Sequence, residues 1–469
     1  MATAPPDNAL SLSRLAVIGC GPVGLVTAAC FADRGHSVIA ADCDPAKVRM
    51  LEQGRVPFYE PGLEELVRRN LRAGRLRFTV DIPEAVQPAH IVFVCVGTPS
   101  HPDGRADLGQ VESVARSLAT CLDGYKVIVE KSTVPVRTAE RIERTIRLYA
   151  HADCVVDVAS NPEFMREGSA VYDFLNPDRI VIGAESPRAR AALEALCEGF
   201  RCPILVTDVP TAELIKHAAN AFLATKISFI NMIADLSEAT GADVTLVARG
   251  MGLDRRIGET FLQAGVGYGG SCFPKDLRAL VRLGEELGTD VQLLRAVQQV
   301  NDARVDRLLR KLREALWVVR DKTIAVLGLS FKFNTDDIRE APSLRVIRSL
   351  LDEGARLVLY DPRAIPNMMQ VFPEDAPRLR YCTDPYVAAE GADALVLLTE
   401  WEAVRALDPF RIRRLMRTPI VVDGRNIYDQ AVMRNAGLEY YSRGRPAAVP
   451  ITPLVRQTSG VGGSTGGAR

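Results

Sequence analysis

The segment Gly19-Cys-Gly21-Pro-Val-Gly24 constrains the fold of this chain more than any other. It follows a short apolar run, Leu15–Gly19, that reads as a β-strand, and it opens an apolar helical stretch. In that setting the first glycine permits a tight turn. The second lets backbone approach a pyrophosphate, and the third lets helix pack on strand. The helix N-terminus then offers free N–H groups to phosphate oxygens. Pro22 suits an early helical position, where its missing N–H costs nothing. A second strand, Ser37–Asp42, ends on a carboxylate placed to bond an adenosine ribose diol and repel a 2′-phosphate. The predicted cofactor is therefore NAD rather than NADP. Lys47, just beyond, has two readings, a phosphate-neutralising charge or a solvated helix charge.

Ile91–Val96, Lys126–Glu130, Val155–Ala159 and Arg179–Gly183 are further short, nearly uniformly apolar runs, as a parallel sheet covered on both faces requires. Their alternation with helical patterns predicts βαβ units. From Thr211 to about Arg320 the periodicity is almost only helical. Glu213–Ala239 reads as one long helix, with Leu214, Ala218, Phe222 and Ile230 among its apolar positions, and Val291–Val319 as another. A second alternation starts at Lys322–Gly328 and continues with strands at Arg356–Tyr360, Ala394–Leu398 and Ile420–Asp423. Here Gly328-Leu-Ser-Phe331 lacks the second and third glycines, so this half is expected to share the shape without binding NAD. The 469 residues exceed one core at about 150 residues per domain. The expected class is α/β, two Rossmann-like doubly wound domains joined by a long central helix. The expected divisions are an extension at 1–13, an NAD-binding domain at 14–210, a helical dimerisation region at 211–320, the second Rossmann-like domain at 321–455, and a Gly/Ser-rich disordered tail at 456–469.

Composition removes several function classes. Lys+Arg and Asp+Glu both number 58, which argues against a general polyanion binder while leaving room for a local basic pocket. No apolar run is long enough to span a bilayer, and Met1–Ser13 has no signal-peptide core. The ten cysteines show neither a Cys-x-x-Cys pair nor a Cys/His cluster with zinc spacing. The expectation is a cytoplasmic protein with reduced thiols and no metal site.

The chemistry points to Gly265-Val-Gly-Tyr-Gly-Gly-Ser-Cys272-Phe-Pro-Lys275-Asp276. Four glycines in one loop imply backbone conformations closed to other residues, or close approach to a ligand. Pro274 and Asp276 begin an amphipathic helix through Leu277, Leu280 and Leu283. Cys272 thus lies near a helix N-terminus, where the dipole is expected to lower a thiol's pKa. The other nine cysteines read as core residues; Cys272 reads as a nucleophile.

This loop resembles the active-site signature of the UDP-glucose 6-dehydrogenase family, which includes GDP-mannose dehydrogenases. Further matches follow in chain order: Val94-Cys-Val-Gly-Thr98-Pro99, Glu130-Lys-Ser-Thr133-Val-Pro135, Asn161-Pro-Glu163-Phe, Glu213-Leu-Ile-Lys216-His-Ala-Ala-Asn220-Ala, Asp254-Arg-Arg256-Ile-Gly, Phe331-Lys332 with Thr335-Asp-Asp-Ile-Arg339-Glu, and Asp423-Gly-Arg425. They span about residues 14 to 430. The resemblance implies a four-electron oxidation of a sugar nucleotide's primary alcohol to a carboxylate, with two NAD and a thioester on Cys272.

Residue roles follow from the same resemblance. Lys216 is the general base or oxyanion partner and Asn220 its companion; four residues apart on a helix, they share one face. Thr133 positions the hydrolytic water, Glu163 is an acid/base, and Asp276 tunes Cys272 and that water. Thr98, Thr133, Glu167, Lys275 and Arg339 are implied on the cofactor side, with Gly19, Gly21, Gly24, Asp42 and Lys47. Glu167 also has a substrate-side reading. Glu163, Lys216, Asn220, Arg256, Gly269, Phe331, Lys332 and Arg425 are implied on the substrate side, Arg256 reaching across from a partner subunit. A homodimer or larger homo-oligomer is therefore expected. His217 reads as structural. Phe333 departs from the pattern, standing where a proline is expected. The implied substrate is UDP-glucose, with GDP-mannose or an N-acetylated sugar nucleotide as the alternative. A one-step β-hydroxyacid-type dehydrogenase would need no thiol. A non-catalytic NAD-binding scaffold would not need Cys272, Lys216, Asn220, Thr133, Glu163 and Asp276 together.

Overall fold

Two sheets organise the chain, described here from a computed structural model over residues 13–150, 155–374 and 378–450. The expected tail at 456–469, and all of the expected extension except Ser13, lie outside the described residues. The first sheet contains β1 (Arg14–Ile18), β2 (Ser37–Ala41), β3 (Leu76–Thr79), β4 (Ile91–Val94), β5 (Tyr125–Glu130), β6 (Val155–Ser160), β7 (Ile180–Gly183) and β8 (Ile204–Thr207). Its strand order is β3-β2-β1-β4-β5-β6-β7-β8. The second contains β9 (Thr323–Leu327), β10 (Arg356–Tyr360), β11 (Leu379–Cys382), β12 (Ala394–Leu397), β13 (Ile420–Asp423) and β14 (Glu439–Tyr441), in the order β11-β10-β9-β12-β13-β14. The six-stranded core order is the same in both halves and reverses beside the first strand. That reversal opens a crevice at the strands' carboxyl ends.

Each sheet is buried on both faces. Leu15 and Val17 enter one core and Ala16 and Ile18 the opposite one, and Ile324 and Val326 likewise oppose Ala325 and Leu327. The neighbours pair in parallel with one exception. β6 and β7 meet antiparallel at Ser160 and Gly183, so β7 and β8 run against the rest, a departure from the uniformly parallel expectation.

Between the sheets runs the helix Val209–Thr240, capped by Asp208 at its start and ended by Gly241 at φ 78°. Helices Phe273–Glu286 and Gln292–Leu316 pack against it. Glu213, Lys216, His217, Asn220 and Ile230 are buried in it, whereas Leu214, Ala218 and Phe222 are exposed. No helix among the described residues is long and apolar enough to cross a membrane.

The two halves use one device differently. In the first, Asp42 after β2 accepts from the Cys20 amide after β1 at 2.8 Å, and the helix Pro22–Asp33 starts at once. In the second, Asp361 after β10 takes the amides of Leu329 and Ser330, the Trp401 indole, and the amides of Arg363 and Ala364. Both its oxygens are occupied by protein. No helix follows β9 directly; the chain runs as a loop to the helix Pro342–Asp352. That loop supplies residues to the site instead.

Candidate active site

The cofactor cradle matches its glycines one by one. A Cβ on Gly19, at φ 99°, would stand 2.6 Å from the Cys95 carbonyl oxygen, and one on Gly24 would stand 1.9 Å from that of Gly19. Nothing lies within 4 Å of a Cβ on Gly21, so that position faces open space where a pyrophosphate would pass. Asp42 lies beside this turn and accepts from the Cys20 amide. Burial alone would raise its carboxyl, but Lys47 and the Cys20 and Asp44 amides outweigh it and hold it below the ordinary range. Lys47 Nζ sits 2.8 Å from Asp42 Oδ2. These groups lie together at the carboxyl ends of β1 and β2.

At the other end, the Gly-rich loop is stitched to the second half of the chain. A Cβ on Gly269 would meet the Glu340 carbonyl oxygen at 2.2 Å, and one on Gly270, at φ 82°, the Phe331 ring at 2.7 Å. Gly270 N donates to Arg339 O at 2.9 Å, and Asn301 Oδ1 accepts from Tyr268 N at 2.9 Å. The glycines are therefore needed for close approach between domains. Arg425 joins the same seam, donating through Nε to Leu398 O and through Nη2 to Phe331 O.

Cys272 caps the helix Phe273–Glu286. Two buried pairs surround it. Lys216 Nζ donates to Glu163 Oε1 at 2.8 Å, and Met165 N donates to Glu163 Oε2 at 2.6 Å. Burial alone would lower the Lys216 ammonium, but Glu163, Cys272 and Asp276 outweigh it and raise it, so it stays charged. One turn on, Asn220 Nδ2 donates to Asp276 Oδ2 at 2.6 Å, and Lys275 Nζ donates to Asp276 Oδ1 at 2.7 Å. The shared face read for Lys216 and Asn220 is what brings both pairs to one place.

The Cys272 thiol is not lowered, contrary to the expectation from its helix terminus. Burial first and Glu163 next push it up to about 11, with Lys216 only partly opposing. A resting thiolate is thus scarce. Glu167 is pushed up to about 7, by burial first and by Asp337 next. Its Oε1 accepts from Ser271 Oγ at 2.8 Å and lies 3.6 Å from Arg339 Nη2.

Thr98, Thr133, Lys275, Asp276 and His217 line one cleft beside these pairs. Thr98 Oγ1 donates to the Thr133 carbonyl at 2.8 Å, and Lys275 Nζ reaches Thr98 Oγ1 at 3.4 Å. His217 bonds the Val134 carbonyl and anchors that loop. Lys332 is half-buried and feels Glu167 and Glu60. Phe333 points outward, 44% exposed. Arg256 is not brought to this cluster; its side chain is 88% exposed and paired with Asp254. Sequence reasoning passed over Ser271, Asp337 and Asn301. Ser271 had a positional signal, immediately preceding Cys272; Asp337 becomes visible only when the second half folds onto the loop, and Asn301 only when the helix Gln292–Leu316 packs against it.

Three family models match: "UDP-glucose/GDP-mannose dehydrogenase family, NAD binding domain" over residues 13–201, its central domain over 210–303, and its UDP binding domain over 325–430. The chain is 45% identical to the UDP-glucose 6-dehydrogenase TuaD of Bacillus subtilis, covering 94% of this chain and 95% of that one. It is 48% identical to the UDP-glucose 6-dehydrogenase of Pseudomonas aeruginosa, covering 93% and 98%. Among solved structures, a UDP-glucose dehydrogenase from Pyrobaculum islandicum superposes with a TM-score of 0.87 at 40% identity, covering 93% and 99%.

Proposed function

The chain belongs to the UDP-glucose/GDP-mannose dehydrogenase family, an NAD-dependent group of oxidoreductases, and from that premise we propose that it oxidises UDP-glucose to UDP-glucuronate in two steps through Cys272. The observation that carries this reading is the convergence on Cys272 of two buried pairs, Lys216–Glu163 and Asn220–Asp276, at the seam between an NAD cradle and a second Rossmann-like half. The names of the relatives supply the substrate.

Bound NAD supplies the hydride acceptor for each oxidation. The rest is the work of this chain's residues. Lys216, held charged by Glu163, stabilises the alkoxide that precedes the first hydride loss, and Asn220, oriented by Asp276, donates beside it. Cys272 Sγ adds to the resulting aldehyde, forming a thiohemiacetal that retains the C–H bond to be oxidised. Loss of that hydride leaves a thioester. Water, positioned by Thr133 and Asp276 with Glu163 as base, cleaves the C–S bond to give the acid and return the thiol. Thr98, Lys275, Glu167 and Arg339 serve the nicotinamide side, and Gly19, Gly21, Gly24 and Asp42 the adenosine side. Gly269, Phe331, Lys332 and Arg425 hold the nucleotide.

In this reading residues 14–210 bind NAD, 211–320 form the helical dimerisation region, and 321–455 bind the UDP-sugar. A homodimer is supported by the apolar outer face of the helix Val209–Thr240, where Phe222 is 65% exposed, and by Arg256, whose side chain is 88% exposed away from this chain's own cluster. The cytoplasm, with its reducing conditions, suits the free thiols. NADH production across UDP-glucose, GDP-mannose and UDP-N-acetyl sugars tests the reading. Two NADH per UDP-glucose are expected. One NADH per substrate, or preference for another sugar nucleotide, overturns it.

A further inference from the structure

Three carboxylates act on the Cys272 sulfur: Glu163, Glu167 and Asp276. Their oxygens are not equally available. Glu163 is occupied by Lys216 Nζ and Met165 N, and Asp276 by Asn220 Nδ2 and Lys275 Nζ. Glu167 alone keeps a buried oxygen, Oε2, without a partner. It is joined to the sulfur by one hydroxyl. Ser271 Oγ donates to Glu167 Oε1 at 2.8 Å and lies 3.6 Å from Cys272 Sγ. With its hydrogen committed to Glu167, the Ser271 oxygen has lone pairs free for the thiol proton.

We propose that Ser271 is a proton conduit between Cys272 and Glu167, so that Glu167, and not bulk water, takes the thiol proton as the sulfur attacks the aldehyde. The inference rests on the thioester reading above. In the step, the S–H proton passes to Ser271 Oγ while the Ser271 O–H proton passes to Glu167 Oε1, and the sulfur pair forms the C–S bond. Thiol and carboxylate become sulfur adduct and carboxylic acid, with the serine unchanged. On hydrolysis the leaving thiolate recovers its proton by the same route. The carboxyl, near neutral, is matched to this exchange, whereas the thiol is too weak an acid to ionise unaided. The other groups facing the pair are Lys216, Asp337, Arg339 and Lys332. The geometry of Ser271 is set by the adjoining Gly269 and Gly270, which are pressed against Glu340 and Phe331.

The test is the pH dependence of Cys272 alkylation by iodoacetamide in the purified full chain. It is followed at that cysteine by mass spectrometry and compared among wild type, Ser271→Ala, Ser271→Thr and Glu167→Gln. Wild type should show a rising limb centred near pH 7, set by Glu167. Ser271→Ala and Glu167→Gln should both lose that limb, with alkylation at neutral pH falling at least about tenfold. Ser271→Thr, which keeps the hydroxyl, should retain it. NAD affinity and circular dichroism should be unchanged in Ser271→Ala, and its NADH production from the aldehyde form of the substrate should fall in kcat without a matching rise in KM. An Ala variant with the wild-type limb, or a Thr variant as slow as the Ala variant, overturns the conduit. If Cys272→Ala still yields uronate, it is the thioester reading that fails, whatever Ser271 does.

Discussion

Lys216 Nζ lies 2.8 Å from Glu163 Oε1, and both side chains are only 5% exposed. Such a pair loses hydration on both sides and holds together through its geometry and its neighbours. In the proposed mechanism that cost has a use, because the pair fixes a positive charge beside Cys272, where an oxyanion would develop.

Removing the cation should expose this role. Lys216→Ala is expected to lower kcat roughly 10²- to 10³-fold, as loss of one oxyanion-stabilising donor does elsewhere. NAD affinity should hardly change. The variant should also be destabilised by about 3–5 kcal/mol, because Glu163 is left buried and unpaired. Steady-state kinetics with NAD titration and chemical denaturation check both halves. Near-normal kcat with a raised substrate KM would make Lys216 a binding residue.

Asp42 is already engaged by Lys47 and two backbone amides, which together hold its carboxyl below the ordinary range. If the carboxylate bonds the ribose diol and repels a 2′-phosphate as proposed, Asp42→Ala should weaken NAD and narrow its advantage over NADP. Comparing kcat/KM for the two cofactors tests this; an unchanged ratio would remove Asp42 from cofactor choice.

Gly21 and Gly24 should separate binding from folding. A Cβ on Gly21 meets nothing within 4 Å, so Gly21→Ala should alter stability by no more than about 0.5 kcal/mol while obstructing the pyrophosphate. A Cβ on Gly24 would stand 1.9 Å from the Gly19 carbonyl oxygen, so Gly24→Ala should lower the melting temperature as well. Melting curves with and without NAD distinguish the two. A strongly destabilised Gly21→Ala would contradict the open approach.

The sequence was most legible where strands are buried on both faces. Arg356–Tyr360 and Ile420–Asp423 stand as read, and the other interior strands lie within two residues of their expected ends. The strands that went unread, β3, β8, β11 and β14, are the edges of the two sheets. Edges need no apolar run. Leu76-Arg77-Phe78-Thr79 and Leu379-Arg380-Tyr381-Cys382 each turn an arginine to solvent, and Ile204 and Leu205 in β8 are exposed. The long helix was legible as a helix but not in its orientation: it buries Glu213, Lys216, His217 and Asn220 and leaves Leu214 and Phe222 outside, which apolar spacing alone does not encode. The motif residues of the site were legible as a set. The contacts of Gly269 and Gly270 with Glu340 and Phe331 depend on two domains meeting, which no local pattern encodes.

Glu130 gives a pH-dependent prediction. It is buried beneath the Ser132–Thr133 loop with Oε1 unpartnered, and burial raises its carboxyl well above the ordinary range. An acid with a raised folded-state pKa holds its proton more tightly when folded. Its cost to stability is therefore absent below the ordinary carboxyl range and grows as pH rises through the folded value. Glu130→Gln should raise the unfolding midpoint at neutral pH by the equivalent of about 1–3 kcal/mol, with the gain vanishing toward pH of about 4. A gain independent of pH, or a loss at neutral pH, would show that the carboxylate is compensated in the folded state.

The central claim is a covalent one, that the aldehyde is oxidised only as an adduct of Cys272. The most direct measurement is the yield of uronate and NADH per UDP-glucose from Cys272→Ala, with NAD and sugar-nucleotide binding checked by titration. Binding should persist, almost no uronate should form, and supplying the aldehyde form of the substrate should not restore rapid NADH production. Cys272→Ser should be similarly crippled, because a hydroxyl is a poorer nucleophile and its ester is harder to hydrolyse. Normal acid yield with two NADH per sugar from Cys272→Ala would contradict the thioester mechanism and leave Cys272 a packing residue.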